Sequence, residues 1–480
     1  VRTVPLGIAI TKDPDSIQRL TAADLILETR YSILIRMYSD LTTAVHTGFP
    51  RARAELEELV RIPSVSAPGF DPEQVRRSAR KIASFLETSG FEDVHLLQIE
   101  GAHPAVYGEI PAPAGAPTVL LYAHHDVQPP GPDDEWDSAP FEPIERDGRL
   151  LGRGTADDKC GVVMHLAAVR AFDGDVPVGV KIFMEGEEEI GSANLGAYLA
   201  QNRDLLEADV IVIGDAGNWR VGVPALTTSL RGLVDCTIEV RTLENAIHSG
   251  MFGGPIPDAI TVMSRVIASL HDDDGNVAVP GLASGTGDGL DLTEAELRRQ
   301  TGTVEGLRLI GDGDLTDRIW LKPAIAVLAV DAPPIHEAIN QLVPVARAKI
   351  SMRIVPGQDP QTALDALVTH LESSVPWGAQ ITVTPGTLGA AIALEADDDA
   401  SLAFKEAFGI AYGNDTVEIG MGGSIPFVAA FREAYPDASI LLTGVMDPES
   451  RIHGPNESQS LADLEHGILG EAIALRMLAD

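Results

Sequence analysis

The chain is short of cysteine, of positive charge and of long apolar runs. Its only two cysteines, Cys160 and Cys236, form no C-x-x-C pair. That excludes a disulfide framework and a cysteine-based zinc ribbon, and it fits a reducing compartment. Lys plus Arg number 35 against 71 Asp plus Glu, a formal charge of −36 at pH 7. A surface this negative repels phosphate backbones and anionic lipid, so neither a nucleic acid nor a membrane is expected as a partner. The most apolar early run, residues 31–37, carries Arg30 and Arg36 and falls far short of the ~20 residues that span a bilayer. The N-terminal VRTVPLGIAITKD lacks the apolar stretch of a signal peptide. Together these features predict a soluble, cytoplasmic protein.

Several chemistries are missing as well. There is no G-x-S-x-G elbow, no Walker A loop and no G-x-G-x-x-G. GRGTAD (152–157) starts as a phosphate loop does but ends in Asp. His336-Glu337 opens an H-E-x-x-H zinc motif, yet Asn340 stands where the second histidine is needed. Cys160, beside Asp157, reads as a packing residue at a helix start rather than as a nucleophile.

What is present can bury a core. The 480 residues are 45% hydrophobic and 22% charged, and at ~100–200 residues per domain they predict two to four domains. Residues 1–45 read as an N-terminal extension with one helix. From Ala52 a helical face of Leu56, Leu59, Val60 and Ile62 appears, stopped by Pro63, and a second amphipathic helix covers 72–88. Short apolar runs then alternate with helices: TVLLYA (118–123), VGVKIFM (178–184), DVIVIG (209–214) and ASILLTGV (438–445), with helices at 159–172, 192–206 and 459–478. This pattern predicts an α/β sheet with much parallel pairing.

The middle of the chain changes character. LVDCTIEV (233–240) alternates like a half-buried strand. A helix (257–271), a polar Gly/Asp-rich stretch (272–318), two strands (323–330, 346–355), a helix (360–372) and ITVTP (381–385) follow. The order β-α-β-β-α-β is that of a ferredoxin-like module. The expected organisation is therefore an N-terminal extension (1–45), a catalytic α/β domain in two parts (46–228 and 391–480), and an inserted ferredoxin-like α+β lid or dimerisation domain (229–390). The acidic runs 272–274 and 397–399 read as solvated charge.

In open α/β sheets ligands bind beyond the carboxyl ends of strands. TVLLYA is followed by His124-His125-Asp126, and VGVKIFM by Glu185 through Glu189. DVIVIG leads to Asp215, ASILLTGV to a loop holding His453, and DGRLLGRGTA to Asp157-Asp158-Lys159. Each is ordinary alone, as a loop hydrogen bond or a solvated helix start. Five convergent sets would place several carboxylates and imidazoles in one small volume. Their mutual repulsion would then require divalent cations. Mixed His nitrogen and Asp/Glu oxygen favour Zn²⁺, with Mn²⁺ or Co²⁺ compatible. Two such ions can activate a water for hydrolysis.

The blocks YAHHDVQP (122–129), EWDSAPFEPIERDGRLLGRGTADDK (135–159), MEGEEEIGS (184–192), HSGMFGG (248–254), SMRIVPG (351–357) and GGSIP (422–426) resemble those of the M20 metallopeptidases. The likeness spans about residues 47–480 and leans toward the carnosinase-like dipeptidase branch. It implies that His124 and Asp215 bind one metal ion, Glu189 and His453 the other, and that Asp157 bridges them. It implies that Asp126 orients His124 and that Glu188 is the general base. By the same resemblance His248 stabilises an oxyanion, in dimeric relatives across the subunit boundary, so a homodimer through the inserted domain is expected. Arg353 and Ser424 resemble groups that hold a substrate's C-terminal carboxylate, and Asn340 resembles a further substrate contact. His125 reads as a loop group beside the ligands. The implied activity is hydrolysis of dipeptides next to a free carboxylate. The alternative on the same scaffold is an N-acyl amino-acid amidohydrolase. A non-catalytic binding protein is disfavoured, since all five ligands, Glu188 and Asp126 are in place.

Overall fold

A computed structural model describes residues 30–31, 33–287, 289–423 and 426–479. Residues 1–29 of the expected extension lie outside these. The fold is carried by a six-stranded sheet in the order Glu92–Leu97, Ala105–Ile110, Gly179–Glu185, Thr118–His124, Val210–Ile213, Ser439–Leu442. The last four strands run parallel. The first two are an antiparallel addition at one edge.

The expected apolar runs are the parallel strands, and their composition follows from burial on both faces. Along Thr118–His124, Val119, Leu121 and Ala123 enter one core and Leu120 and Tyr122 the other, as the two-residue period of a strand requires. The first face is covered by helices Ser39–Val60, Lys159–Arg170, Asp399–Tyr412 and Leu461–Met477, which pack on one another. Helices Leu195–Gln201 and Pro426–Ala434 help to cover the second. Among the described residues no helix is long and apolar enough to cross a membrane.

Residues 232–389 build a separate antiparallel sheet in the order Ala324–Asp331, Val345–Ile354, Gly232–Arg241, Gln380–Gly389. The β-α-β-β-α-β order expected from the sequence is present. Helices Ala259–Ala268 and Pro360–Ser373 pack on the face formed by Val234, Cys236, Ile238 and Val240, with Ile350 and Met352 from the neighbouring strand. This sheet has a core of its own.

Four details differ from the sequence reading. The helix that sharpens at Ala52 starts at Ser39 and runs through Pro50. Leu41 and Val45 bury in the main core, so packing outweighs the helix-breaking tendency of proline. The helix expected over 192–206 is two, Leu195–Gln201 and Arg203–Leu206. Asn202 separates them, its side-chain amide donating to the Tyr198 carbonyl at 2.9 Å in competition with the backbone. The polar stretch 272–318 holds helix Glu294–Thr301, with a Thr293/Glu296 capping box, and the start of helix Leu315–Trp320. Strand Ala225–Leu230 also pairs in parallel with Val417–Met421, joining the chain before and after the inserted sheet.

Candidate metal centre

Three parallel strands end side by side and deliver the site. His124 is the last residue of its strand, flanked on both sides by Gly179–Glu185 and Val210–Ile213. Glu188 and Glu189 open the 3₁₀ turn just past Glu185. Asp215 lies two residues beyond Ile213. His453 sits in the loop after Ser439–Leu442, in left-handed backbone (φ 61°). Asp157 comes from the loop before helix Lys159–Arg170, whose first turn Asp158 caps by accepting from Gly161 N at 3.2 Å. That loop runs tight against its surroundings. A Cβ on Gly154 (φ +84°) would lie 2.6 Å from Val127 Cγ1, so both the backbone angle and the space demand glycine.

Asp157 is the meeting point. Its Oδ1 lies 3.0 Å from His124 Nε2, and its Oδ2 lies 3.0 Å from His453 Nε2. Glu189 Oε2 is 3.2 Å from the same His453 nitrogen, and Asp215 Oδ2 is 3.9 Å from His124 Nε2. The five residues expected as ligands thus fall into two overlapping triads, His124/Asp157/Asp215 and Asp157/Glu189/His453. Within each, the ligand atoms lie within 4.8 Å of one another. Glu188 lies beside the first triad, with Oε2 4.0 Å from His124 Nε2.

The supporting groups fix these side chains. The two Asp126 oxygens accept the backbone N–H groups of Glu188 and Glu189, each at 3.1 Å, and its carbonyl lies 3.1 Å from His124 Nδ1. Asp126 therefore anchors the acidic turn as well as the imidazole. Gln128 was not singled out from the sequence, yet it holds Glu189 through its backbone N–H (3.1 Å) and its side-chain amide (2.8 Å). Asp158 accepts from His124 N at 3.3 Å. Lys159 is fully buried and donates to the carbonyls of Leu59 and Ile62 at the end of helix Ser39–Val60. His125 turns away from the cluster to the Pro104 carbonyl at 3.1 Å.

The protonation chemistry shows the strain of so much charge out of water. Burial would raise Asp157, but the hydrogen bonds from His124 and His453 hold it below the ordinary carboxylate range. Burial would likewise lower His124, yet its bonds to Asp126 and Asp157 keep it well above the usual imidazole value. Asp157 and Glu189 push His453 up to about 10. Burial, reinforced by Glu189, Asp157 and Asp126 and opposed by His124, pushes Glu188 up to about 7. Burial also lifts Asp215 well above the usual range, against His124 and with Asp158 and Asp157. The protein alone thus balances its carboxylates by retaining protons, which is the condition that bound cations relieve. The donors are nitrogen and oxygen only. Cys160 Sγ points to the Ala156 carbonyl at 2.9 Å. Shared carboxylate, flanking imidazoles and terminal carboxylates fit a pair of divalent cations.

The remaining expected residues lie on the inserted sheet or beyond it. His248 is exposed and accepts from Gly250 N at 3.0 Å, on a short ladder with Gln341–Leu342. Asn340 is exposed and accepts from Ser249 N at 3.1 Å, beside His248. Neither belongs to the two triads. Arg353 is half-buried near the end of strand Val345–Ile354. Ser424 lies outside the described residues.

The sequence pattern of peptidase family M20/M25/M40 matches residues 120–473. The chain is 34% identical over 445 residues to the cysteinylglycine-S-conjugate dipeptidase of Corynebacterium striatum, covering 89% of this chain and 97% of that protein. It is 28% identical to the β-Ala-His dipeptidase of Homo sapiens, covering 85% and 82%. The crystal structure of human carnosine dipeptidase 1 superposes with a TM-score of 0.76 at 25% identity, covering 92% of this chain and 98% of that one. The chain belongs to peptidase family M20/M25/M40.

Proposed function

We propose that this chain is a dipeptidase working with two divalent cations. His124 and Asp215 would hold one ion and Glu189 and His453 the other, with Asp157 available to both. The observation that carries the reading is Asp157, whose two oxygens each face a different imidazole at 3.0 Å. Zn²⁺ suits the donors best, with Mn²⁺ or Co²⁺ compatible. When bound, such ions polarise the scissile carbonyl and lower the pKa of a water.

The chain's own groups perform the proton transfers. Glu188 takes a proton from the attacking water and passes it to the leaving amine, a task matched by its position and by a proton affinity near neutrality. Asp126 fixes the tautomer of His124 and the turn that presents Glu188. Arg353 and Ser424 hold the substrate carboxylate, and Asn340 makes a further substrate contact. His248 stabilises the oxyanion. The relatives named above are dipeptidases, and this favours dipeptides over N-acyl amino acids.

The inserted segment 229–390 acts as lid and dimerisation domain to the catalytic parts 46–228 and 391–480, and the enzyme is a homodimer through it. In support, strand Ala324–Asp331 lies at a sheet edge and exposes Val327, Leu328 and Val330, with Ile335 and Ile339 exposed just after it in the chain. An apolar edge of this kind is covered in an assembled protein. His248, on the same segment, then reaches the partner's site. Both cysteines are free and buried, which suits the cytoplasm.

Metal-stripped protein should cleave neither dipeptides nor N-acetyl amino acids, and added Zn²⁺ or Mn²⁺ should restore cleavage of dipeptides. Restoration confined to N-acyl compounds would move the enzyme to the amidohydrolase alternative. Glu188→Gln should keep two ions per chain and lose about 10²–10⁴-fold in kcat. Mixed with inactive His248→Ala protein under subunit exchange, it should regain activity that neither has alone; no recovery would contradict action across the dimer. Metal uptake at pH 7 should release about one or more protons per chain, because Asp157 and Glu189 hold His453 up near 10 and ligation displaces its proton, with the raised His124 and Asp215 adding to the release. Calorimetry in buffers of different ionisation enthalpy reads this number directly. The same sign makes metal affinity rise with pH through neutrality, and a pH-independent affinity would contradict the protonation states described.

A further inference from the structure

We infer that Glu457 is a positioning residue for the metal centre, holding Asp157 and His453 in one frame although some 300 residues separate them in the chain. The inference rests on reading those two residues as ligands. Glu457 follows His453 by four positions and is fully buried. Its Oε1 accepts three backbone N–H groups of the Asp157 loop: Gly154 at 3.0 Å, Ala156 at 3.0 Å and Asp157 itself at 3.1 Å. Its Oε2 accepts from Arg153 Nη1 at 2.6 Å, and its carbonyl accepts from Gly152 N at 2.9 Å. One side chain therefore takes three backbone N–H groups of a buried, irregular loop, including the amide of the shared ligand.

The loop carrying His453 needs such a tie. Arg451, His453 and Asn456 all adopt left-handed backbone, which non-glycine residues rarely take. At its base, Arg149 donates to Ser458 Oγ and the Ser458 carbonyl, both at 2.8 Å, and pairs with Asp447 at 2.9 Å. A short antiparallel ladder joins Ser458–Ser460 to Arg149–Leu151. These contacts bring the two segments together. Glu457 alone reaches from the His453 loop to the Asp157 amide, so it sets how the shared carboxylate presents its two oxygens.

Glu457→Gln keeps the size of the side chain and replaces one acceptor oxygen with a donor, so either Arg153 or the three amides lose their partner. Metal binding is measured by titration with Zn²⁺ and Co²⁺ alone, alongside thermal melting. Glu55→Gln is the control, since Glu55 is a buried carboxylate paired with Arg170 on another part of the core. The expected result is that Glu457→Gln binds the weaker ion about 10–100-fold less tightly. Excess metal should then restore kcat with KM unchanged, while Glu55→Gln melts earlier with wild-type metal affinity. Unchanged affinity in Glu457→Gln, or a loss that Glu55→Gln matches at equal destabilisation, overturns the positioning role. If Glu457→Gln does not fold, Arg153→Lys decides. A weakened ion supports the role, and wild-type affinity overturns it. A wild-type protein that binds no pair of ions would overturn the reading of the site itself, a result separate from any effect of the variants.

Discussion

The contact between one buried carboxylate and two imidazoles governs this structure. Asp157 is almost out of solvent, and each of its oxygens faces a histidine delivered by a different part of the chain. Near it stand Asp158, Glu188, Glu189 and Asp215. Charges of one sign at this density, in a medium far less polar than water, repel strongly enough to oppose folding. The protein alone meets the conflict by raising the proton affinity of Glu188, Asp215 and both imidazoles. Divalent cations meet it better, since they replace protons with charge that does chemistry.

The fold serves this one point. Parallel strands ending together place His124, the Glu188–Glu189 turn and Asp215 along a single edge. The fourth strand, Ser439–Leu442, joins the row beside Val210–Ile213 and carries the chain toward His453. The return of the C-terminal segment to Arg149–Leu151 brings the His453 loop against the loop of Asp157. The inserted sheet has its own core and its own exposed apolar edge, so it is built separately from the sheet that carries the two triads.

Much of this was legible in the sequence because burial on both faces writes itself as an apolar run. TVLLYA and VGVKIFM are strands for that reason, and the polar residues after them are the site. The edge strand Glu92–Leu97 is hard to see in the sequence because EDVHLL is only partly buried and shows little apolar bias. Strand Ala225–Leu230, ALTTSL, is masked by its threonines and serine. Helix Ser39–Val60 was foreshortened because Pro50 hides a continuity that only packing against the core reveals. Gln128 and Glu457 could not be singled out by local pattern. Their roles lie in hydrogen bonds to residues 61 and about 300 positions away, and a strand or helix period carries no trace of such contacts.

Membership in peptidase family M20/M25/M40 and the paired triads support the proposal that Asp157 would join two ions. Electron paramagnetic resonance of the protein loaded with two equivalents of Mn²⁺ tests it most directly. The account predicts an exchange-coupled signal from two ions sharing a carboxylate, replaced in Asp157→Asn by uncoupled or single-ion spectra. Two magnetically isolated ions in the unaltered protein, or coupling that survives the substitution, would contradict it.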